Sequence, residues 1–414
     1  MLCCFAEFLK RAGVPEILDR MATPVRKTVS YTTTDYLLTL VLSVAAGCDY
    51  NVAINHLLRP YPQVARLLGM PGIPEQSSVS GFLHALTDAS LEELDLVRQE
   101  CQRLFGAAAH ETAVDLDIDA TGFTVYGGTY QCAAKGYFPR QRGEKGYQLG
   151  LVSAAKSGEA LADCFLPGNL RPELLLPELI YGAAEALGAM DRIGLITMDA
   201  GFGTEANISE MQANSLPYLV KGRDPRTFQK IAKALAGHEW DYAGPHCGVY
   251  ELGLQRVLPK SKTFARTILF RYSNDQGGAD YGHVCTSLPA SLKADQVARR
   301  YNQREEIESV NKIVKSTLHA KHLRTRSDRS IEAFLKIGLL TLNLLHAFRR
   351  LILSPAGMGD LGLRDIVCRL MPIPAKFAQT VRIPIQIDQS FRLNPAIDSD
   401  SNRPPIPIQA DQIG

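Results

Sequence analysis

Apolar residues in the first hundred positions recur three and four apart. They run Leu37, Leu38, Val41, Leu42 and Val44, then Ile54, Leu57 and Leu58, then Leu91, Leu94 and Val97. That period belongs to helices with one face turned inward, and no strand pattern of any length appears before about residue 105. Thr32-Thr33-Thr34-Asp35 can cap the apolar helix that follows, Pro71-Gly72-Ile73-Pro74 breaks the chain, and Ser77-Ser78-Val79-Ser80 can cap a short helix through Leu86. At Ala113 the period changes to two. Val114-Asp115-Leu116-Asp117-Ile118-Asp119 alternates apolar and acidic, which predicts a strand, and Phe123 to Tyr126 reads as a second, separated by Thr121-Gly122. Tyr147 to Ala154 predicts a third strand, Leu174 to Leu187 a helix, Ile193 to Met198 a buried strand, Thr204 to Asn214 a helix and Tyr218 to Val220 a strand.

Residues 222 to about 290 break that rhythm. Glu239 to Tyr242, Val249 to Leu254 and Thr267 to Arg271 look like antiparallel strands joined by glycine-bearing turns. Ala294 to about Leu318 predicts one long helix and Ile331 to Leu353 an apolar one, and the tail from Pro355 is proline-containing and irregular. The expected division is a helical unit over 1–108, a mixed α/β core over 109–221 and 292–355, a β-rich insertion over 222–291 and a tail over 356–414.

With 46% hydrophobic and 21% charged residues the chain has the composition of a folded protein, which excludes wholesale disorder. Its formal charge of +2 says nothing about nucleic acid, because a basic groove can hide inside a neutral total. The nine cysteines are scattered without a CxxC pair, which suits reduced thiols in the cytoplasm and no zinc site. His238, His246 and Cys247 have no zinc-site spacing either. Tyr36 to Ala46 is far shorter than the ~20 residues of a membrane span, and residues 1–30 lack the order of a signal peptide, so neither a membrane nor a secreted protein is expected.

Three features could carry chemistry. Asp115, Asp117 and Asp119 fall on one face of their strand, where like charges repel. The pattern fits either a solvated edge or a divalent cation held by carboxylate oxygen. Asp199 follows a buried strand and opens Ala200-Gly201-Phe202-Gly203, the end of a strand where α/β folds place sites, though an Asp there can equally cap the next helix. Tyr301, Arg304, Glu308 and Lys315 form one helical stripe inside Arg299 to Arg329, a window with nine Lys/Arg against four Asp/Glu. A surface salt-bridge ladder gives the same spacing; the local positive excess argues for a phosphate backbone nearby. Arg140, Arg142 and Lys145, in a basic glycine-bearing loop that also holds Lys135, are further candidate phosphate contacts.

These residues resemble the DDE transposases of bacterial insertion sequences, in the branch marked by Y-x2-R-x3-E-x6-K. Tyr301, Arg304, Glu308 and Lys315 keep every spacing of that signature, Asp119-Ala120-Thr121 and Asp199-Ala200-Gly201-Phe202 match the contexts of the family's two aspartates, and Leu166-Pro167-Gly168-Asn169 resembles the turn between them. The resemblance spans roughly residues 30 to 350. It implies a ribonuclease-H-like α/β fold, a mixed sheet with a β-rich insertion after an all-α N-terminal domain. It implies that Asp119, Asp199 and Glu308 hold two Mg²⁺ ions, or Mn²⁺, about 3.5–4 Å apart, which serve hydrolysis at the element's ends and then strand transfer into target DNA. Asp117, on the same strand face, is the alternative to Asp119. Arg304 and Lys315 would hold phosphates and Tyr301 would stack or hydrogen-bond near the transferred strand end. Trp240, the chain's only tryptophan, would either stack on a flipped base or pack in a small β core. The N-terminal helices would bind the terminal inverted repeats through a helix-turn-helix, or simply pack. Pairing two DNA ends calls for a homodimer, working on double-stranded DNA at the bacterial nucleoid. An active transposase leads the reading; a transposase-derived DNA-binding protein without catalysis and a metal-dependent nuclease of the same fold remain open.

Overall fold

A computed structural model describes residues 1–22, 30–136, 138, 141, 143–223, 225–273, 278–306 and 310–373, with the backbone alone at Pro225 and residues 304–306. Seven helices fill the first stretch: α1 (Leu2–Arg11), α2 (Val14–Leu18), α3 (Thr33–Ala45), α4 (Val52–Leu57), α5 (Pro62–Leu67), α6 (Gln76–Ala85) and α7 (Asp88–Phe105). The expected cap of α3 is a capping box, in which Asp35 N donates to Thr32 Oγ1 at 3.1 Å and Thr32 N to Asp35 Oδ2 at 2.8 Å.

The α/β part follows as β1 (Val114–Val125), β2 (Ala134–Lys135), β3 (Lys145–Ala154), β4 (Ala160–Pro167), α8 (Leu176–Leu187), β5 (Ile193–Met198), α9 (Glu205–Ala213) and β6 (Tyr218–Lys221). Then come α10 (Pro225–Ala234), β7 (Asp241–Gly244), β8 (Cys247–Arg256), β9 (Phe264–Ser273), β10 (Ala279–Thr286), α11 (Ala294–Glu306), α12 (Val310–Lys312), α13 (Asp328–Phe348) and α14 (Leu363–Asp365). The two short strands expected at 114–119 and 123–126 are one strand, because β1 pairs with β3 without interruption from Leu116 opposite Ala154 to Val125 opposite Lys145. The strand expected at Tyr147 to Ala154 is β3, and β4 was not expected, because its small residues Ala160, Ala162 and Cys164 carry little strand signal. The expected single helix from Ala294 ends its first described stretch at Glu306; after residues 307–309, α12 continues as a wide π-turn over Ile313–Thr317. Most of the proline-containing tail, 374–414, lies outside the described residues.

The sheet order is β2-β3-β1-β5-β6-β10-β9-β8-β7, with β4 paired to β3. Strands β4, β3 and β1 are antiparallel neighbours, while β1, β5 and β6 run parallel, the ribonuclease-H-like arrangement. The inserted strands extend this sheet, since β10 pairs antiparallel with β6.

Helices cover both sides. On one side α8 and α9 pack on Leu116, Ile118, Ile196 and Met198. On the other, two cores lie side by side. The larger joins α1 to α7 with α13 and with Phe123, Val125, Tyr147 and Leu149, so the helical N-terminal segment has no separate core. The smaller packs Ala294, Val297, Ala298 and Tyr301 of α11 on Leu195, Leu219 and Phe270. Asp328–Leu353 is long and apolar enough to cross a membrane, yet 94% of its most apolar window is buried among these neighbours.

Two expected DNA contacts are packed in apolar clusters instead. Tyr301 is 3% exposed and its ring lies 6.0 Å from that of Phe270, as the next step of the Ala294, Val297, Ala298 run. Trp240 is 4% exposed, packed with Phe228, Ala232 and Leu269; its Nε1 donates to Leu235 O at 3.0 Å and Arg271 lies over its ring. A ring so enclosed presents no face to a flipped base, and the packing alternative holds for Trp240.

A buried ionic cluster fastens α7, β4 and α13 together. Asp163 forms an ion pair with Arg98 at 2.7 Å and accepts from Lys336 at 3.3 Å, and Lys336 also bonds Asp95 at 2.7 Å. Burial alone would push the Asp163 carboxyl up, but Lys336 and Arg98 together hold it below the ordinary value. Glu332 beside them is pushed the other way, up to about 7, by burial only partly offset by Lys336.

Two predictions follow from this packing. An acid with a folded pKa above its unfolded value stabilises by taking up a proton. For Glu332 that contribution is complete below its ordinary 4.5 and is lost as pH rises through about 7. Glu332→Gln should therefore flatten the fall in melting temperature between roughly pH 5 and pH 8, and a slope as steep as wild type would assign the effect elsewhere. Trp240→Ala should cost about 3–5 kcal/mol through the cavity it leaves. Calorimetric melting checks this, and an unchanged melting temperature would contradict the buried packing.

Candidate active site

The site forms where β1 passes between the two cores on its α11 side. Its unbroken register with β3 keeps Asp117, Asp119, Phe123 and Val125 on one face. Val114, Leu116 and Ile118 occupy the opposite face under α8 and α9, while Phe123 and Val125 enter the helical bundle. The aspartates stand in the strip between the bundle and α11.

Parallel pairing with β5 then decides which aspartate meets Asp199. Ile118 is the partner of Met198, so the next residues, Asp119 and Asp199, leave the paired segment abreast. Neighbouring strands lie about 4.8 Å apart. Asp117 pairs with Thr197, one step further back. Asp199 Oδ1 accepts from Gly201 N at 2.9 Å, which bends the chain into the turn before α9. Thr204 caps α9 by accepting from Asn207 N at 3.2 Å, and buried Phe202 pins the turn to the core beneath it. Gly203 is needed here, because a Cβ would stand 2.5 Å from Lys221 O.

Asp119 is held from both sides. Its Oδ1 accepts from Ala120 N at 2.9 Å and its Oδ2 from Asn311 Nδ2 at 3.0 Å. Asn311 is 7% exposed, and its Oδ1 is buried with no hydrogen-bond partner. Such an oxygen costs about 1–3 kcal/mol. Lys315, in the π-turn after α12, lies over the Phe123 ring at 5.1 Å. Burial lowers its pKa, and the charge of Asp119 works against that.

Asp115 has a different task. Between Val114 and Leu116 the β1–β5 register shifts, and Asp115 Oδ1 accepts from Leu195 N at 2.8 Å at that irregularity. Its Oδ2 accepts from Arg300 Nη2 of α11 at 2.7 Å. The alternating acidic strand thus contains a structural clip and a candidate site carboxylate.

Glu308, Arg140 and Arg142 lie outside the described residues, as does the side chain of Arg304. Lys145 is exposed at the start of β3. Asn311 and Arg300 were not singled out from sequence, since an asparagine or arginine on a polar helix has no distinguishing pattern. Among the described residues no group of three His, Cys, Asp or Glu converges on a metal position. The two aspartates and the unpartnered Asn311 oxygen are nevertheless hard oxygen donors, the chemistry that suits a divalent cation.

Among solved structures, the piggyBac transposase synaptic complex with hairpin DNA aligns over 89% of this chain and 76% of that chain, at 13% identity and a TM-score of 0.47. No curated protein matches. The family described as Transposase DDE domain group 1 matches residues 2–395. Nearly the whole chain lies inside that match, and the protein belongs to the DDE transposases.

Proposed function

We propose that this transposase binds the terminal inverted repeats of an insertion sequence, cleaves the DNA at its ends and joins the 3′ ends to target DNA, working as a homodimer. The observation that carries the reading is the register that sets Asp119 beside Asp199 at the end of β5. Two like charges so close favour a cationic ligand between them. Asp119, Asp199 and Glu308 would hold two Mg²⁺ or Mn²⁺ ions, which supply Lewis-acid activation of the attacking oxygen and neutralise the leaving one.

The protein's own groups orient and balance the charge. Ala120 N and Asn311 Nδ2 fix the two oxygens of Asp119, and Gly201 N fixes one of Asp199, so the carboxylates need not reorganise as the reaction proceeds. In hydrolysis a water oxygen attacks the phosphorus and the 3′-oxygen leaves with a proton; in joining, that 3′-hydroxyl attacks the target phosphorus and displaces its 3′-oxygen. Lys315, its ammonium near Asp119, supplies positive charge to the scissile phosphate. Arg304, Arg140, Arg142 and Lys145 would follow the backbone outward. The exposed side of α6, with Ser77, Ser78, Gly81 and His84, offers small and polar groups to a DNA end while Val79, Phe82 and Leu83 face the bundle.

Asp119→Asn, Asp199→Asn and Glu308→Gln should each abolish cleavage of a donor carrying the element's ends in Mg²⁺ while end binding persists in band shifts. Asp117→Asn should be milder. Full cleavage by any of the first three removes that residue from the set, and loss in Asp117→Asn alone would move the assignment two residues back.

Lys315→Ala should flatten the slope of log affinity against log salt by about one phosphate contact. An unchanged slope would restrict Lys315 to balancing Asp119.

A further inference from the structure

We propose that Asn311 is a positioning residue of this site, orienting Asp119 through its amide N–H and lending its carbonyl oxygen to the cation set. The inference rests on the metal-dependent reading above and adds a residue outside the four-residue signature.

Three observations meet at this side chain. Asn311 stands between the last turn of α12 and the lysine-bearing π-turn, three positions after Glu308 in sequence. Its Nδ2 donates to Asp119 Oδ2 at 3.0 Å, which leaves the acceptor limb of the same planar amide outside that bond. That limb, Oδ1, is buried and has no partner, although the residue is 7% exposed. Buried side-chain oxygens are almost always satisfied, and an exception calls for an explanation, of which an ion that completes it is one. An asparagine carbonyl is a hard oxygen suited to Mg²⁺ or Mn²⁺. π-turns inside helices also concentrate at functional sites, where they turn side chains out of the regular helical order. A purely packing asparagine would leave no reason for its donor to be spent on Asp119 and its acceptor on nothing.

The test uses the full chain without DNA and titrates Mn²⁺ by calorimetry. Wild type should bind Mn²⁺ and Asp119→Asn should lose that binding. Asn311→Ala should bind about tenfold more weakly, the usual scale for a group that orients a ligand. Asn311→Asp, which keeps an oxygen in place and adds charge but loses the N–H that holds Asp119, should recover part of that loss of Mn²⁺ binding. Wild-type affinity in Asn311→Ala, with binding lost in Asp119→Asn, overturns the inference and leaves the metal reading standing. Binding in Asn311→Asp no stronger than in Asn311→Ala would reduce Asn311 to a structural part. Equal Mn²⁺ binding, or none, in wild type and Asp119→Asn would defeat the metal reading and the inference with it.

Discussion

Strands β1 and β5 run parallel, and the hydrogen bonds between them bring Ile118 level with Met198. Everything at the candidate site is measured from that pairing. A slip of one residue would turn the aspartate face of β1 toward α8 and α9, and its apolar face toward the strip now occupied by carboxylates. Asp115 guards against the slip. It takes the N–H exposed at the irregularity in β5 and ties it to Arg300, so strand register and the seating of α11 are secured by one side chain.

The second consequence concerns how one strand serves two cores. Ahead of Asp119, β1 buries its even-numbered residues against α8 and α9; beyond it, Phe123 and Val125 bury the odd-numbered face in the helical bundle. A strand that changes its buried face must pass through a stretch where neither face is fully covered. Asp119, Ala120, Thr121 and Gly122 are that stretch, and all four are half-buried. The carboxylate thus gains partial exclusion from water without leaving the sheet, a setting in which charge interactions are stronger than at an open surface.

The bundle is held to this strand by ionic as well as apolar contacts. Asp163 of β4 meets Arg98 of α7 and Lys336 of α13, side chains that are nearly inaccessible to water. Such pairs add little net stability over apolar replacements, but breaking one partner leaves a buried charge, so they specify how the three elements dock. Because α13 reaches the site through the turn that carries Lys315, the docking of the N-terminal helices and the placing of that lysine are parts of one packing problem.

The amino-acid sequence by itself determined the local features: the period-two acidic strand, the buried strand before Asp199, the capped apolar helix from Thr33 and the succession of strands and helices typical of the fold. Each depends on spacing within about a dozen residues, which a single chain displays directly. It did not reveal β4 as a strand, because alanine and cysteine at its inward positions pattern weakly, nor that the inserted strands would lengthen the main sheet. Tertiary structure alone decided the rest. Tyr301 and Trp240 are amphipathic rings that suit a DNA surface or a core equally well, and only the neighbours brought in from β9 and α10 bury them. Whether Asp117 or Asp119 stands beside Asp199 is likewise set by hydrogen-bond register between strand partners about eighty residues apart in sequence, and Asn311 acquires its partner across a still longer separation. Residue spacing along one element states which side chains share a face; it carries no information about what the other element sets against that face.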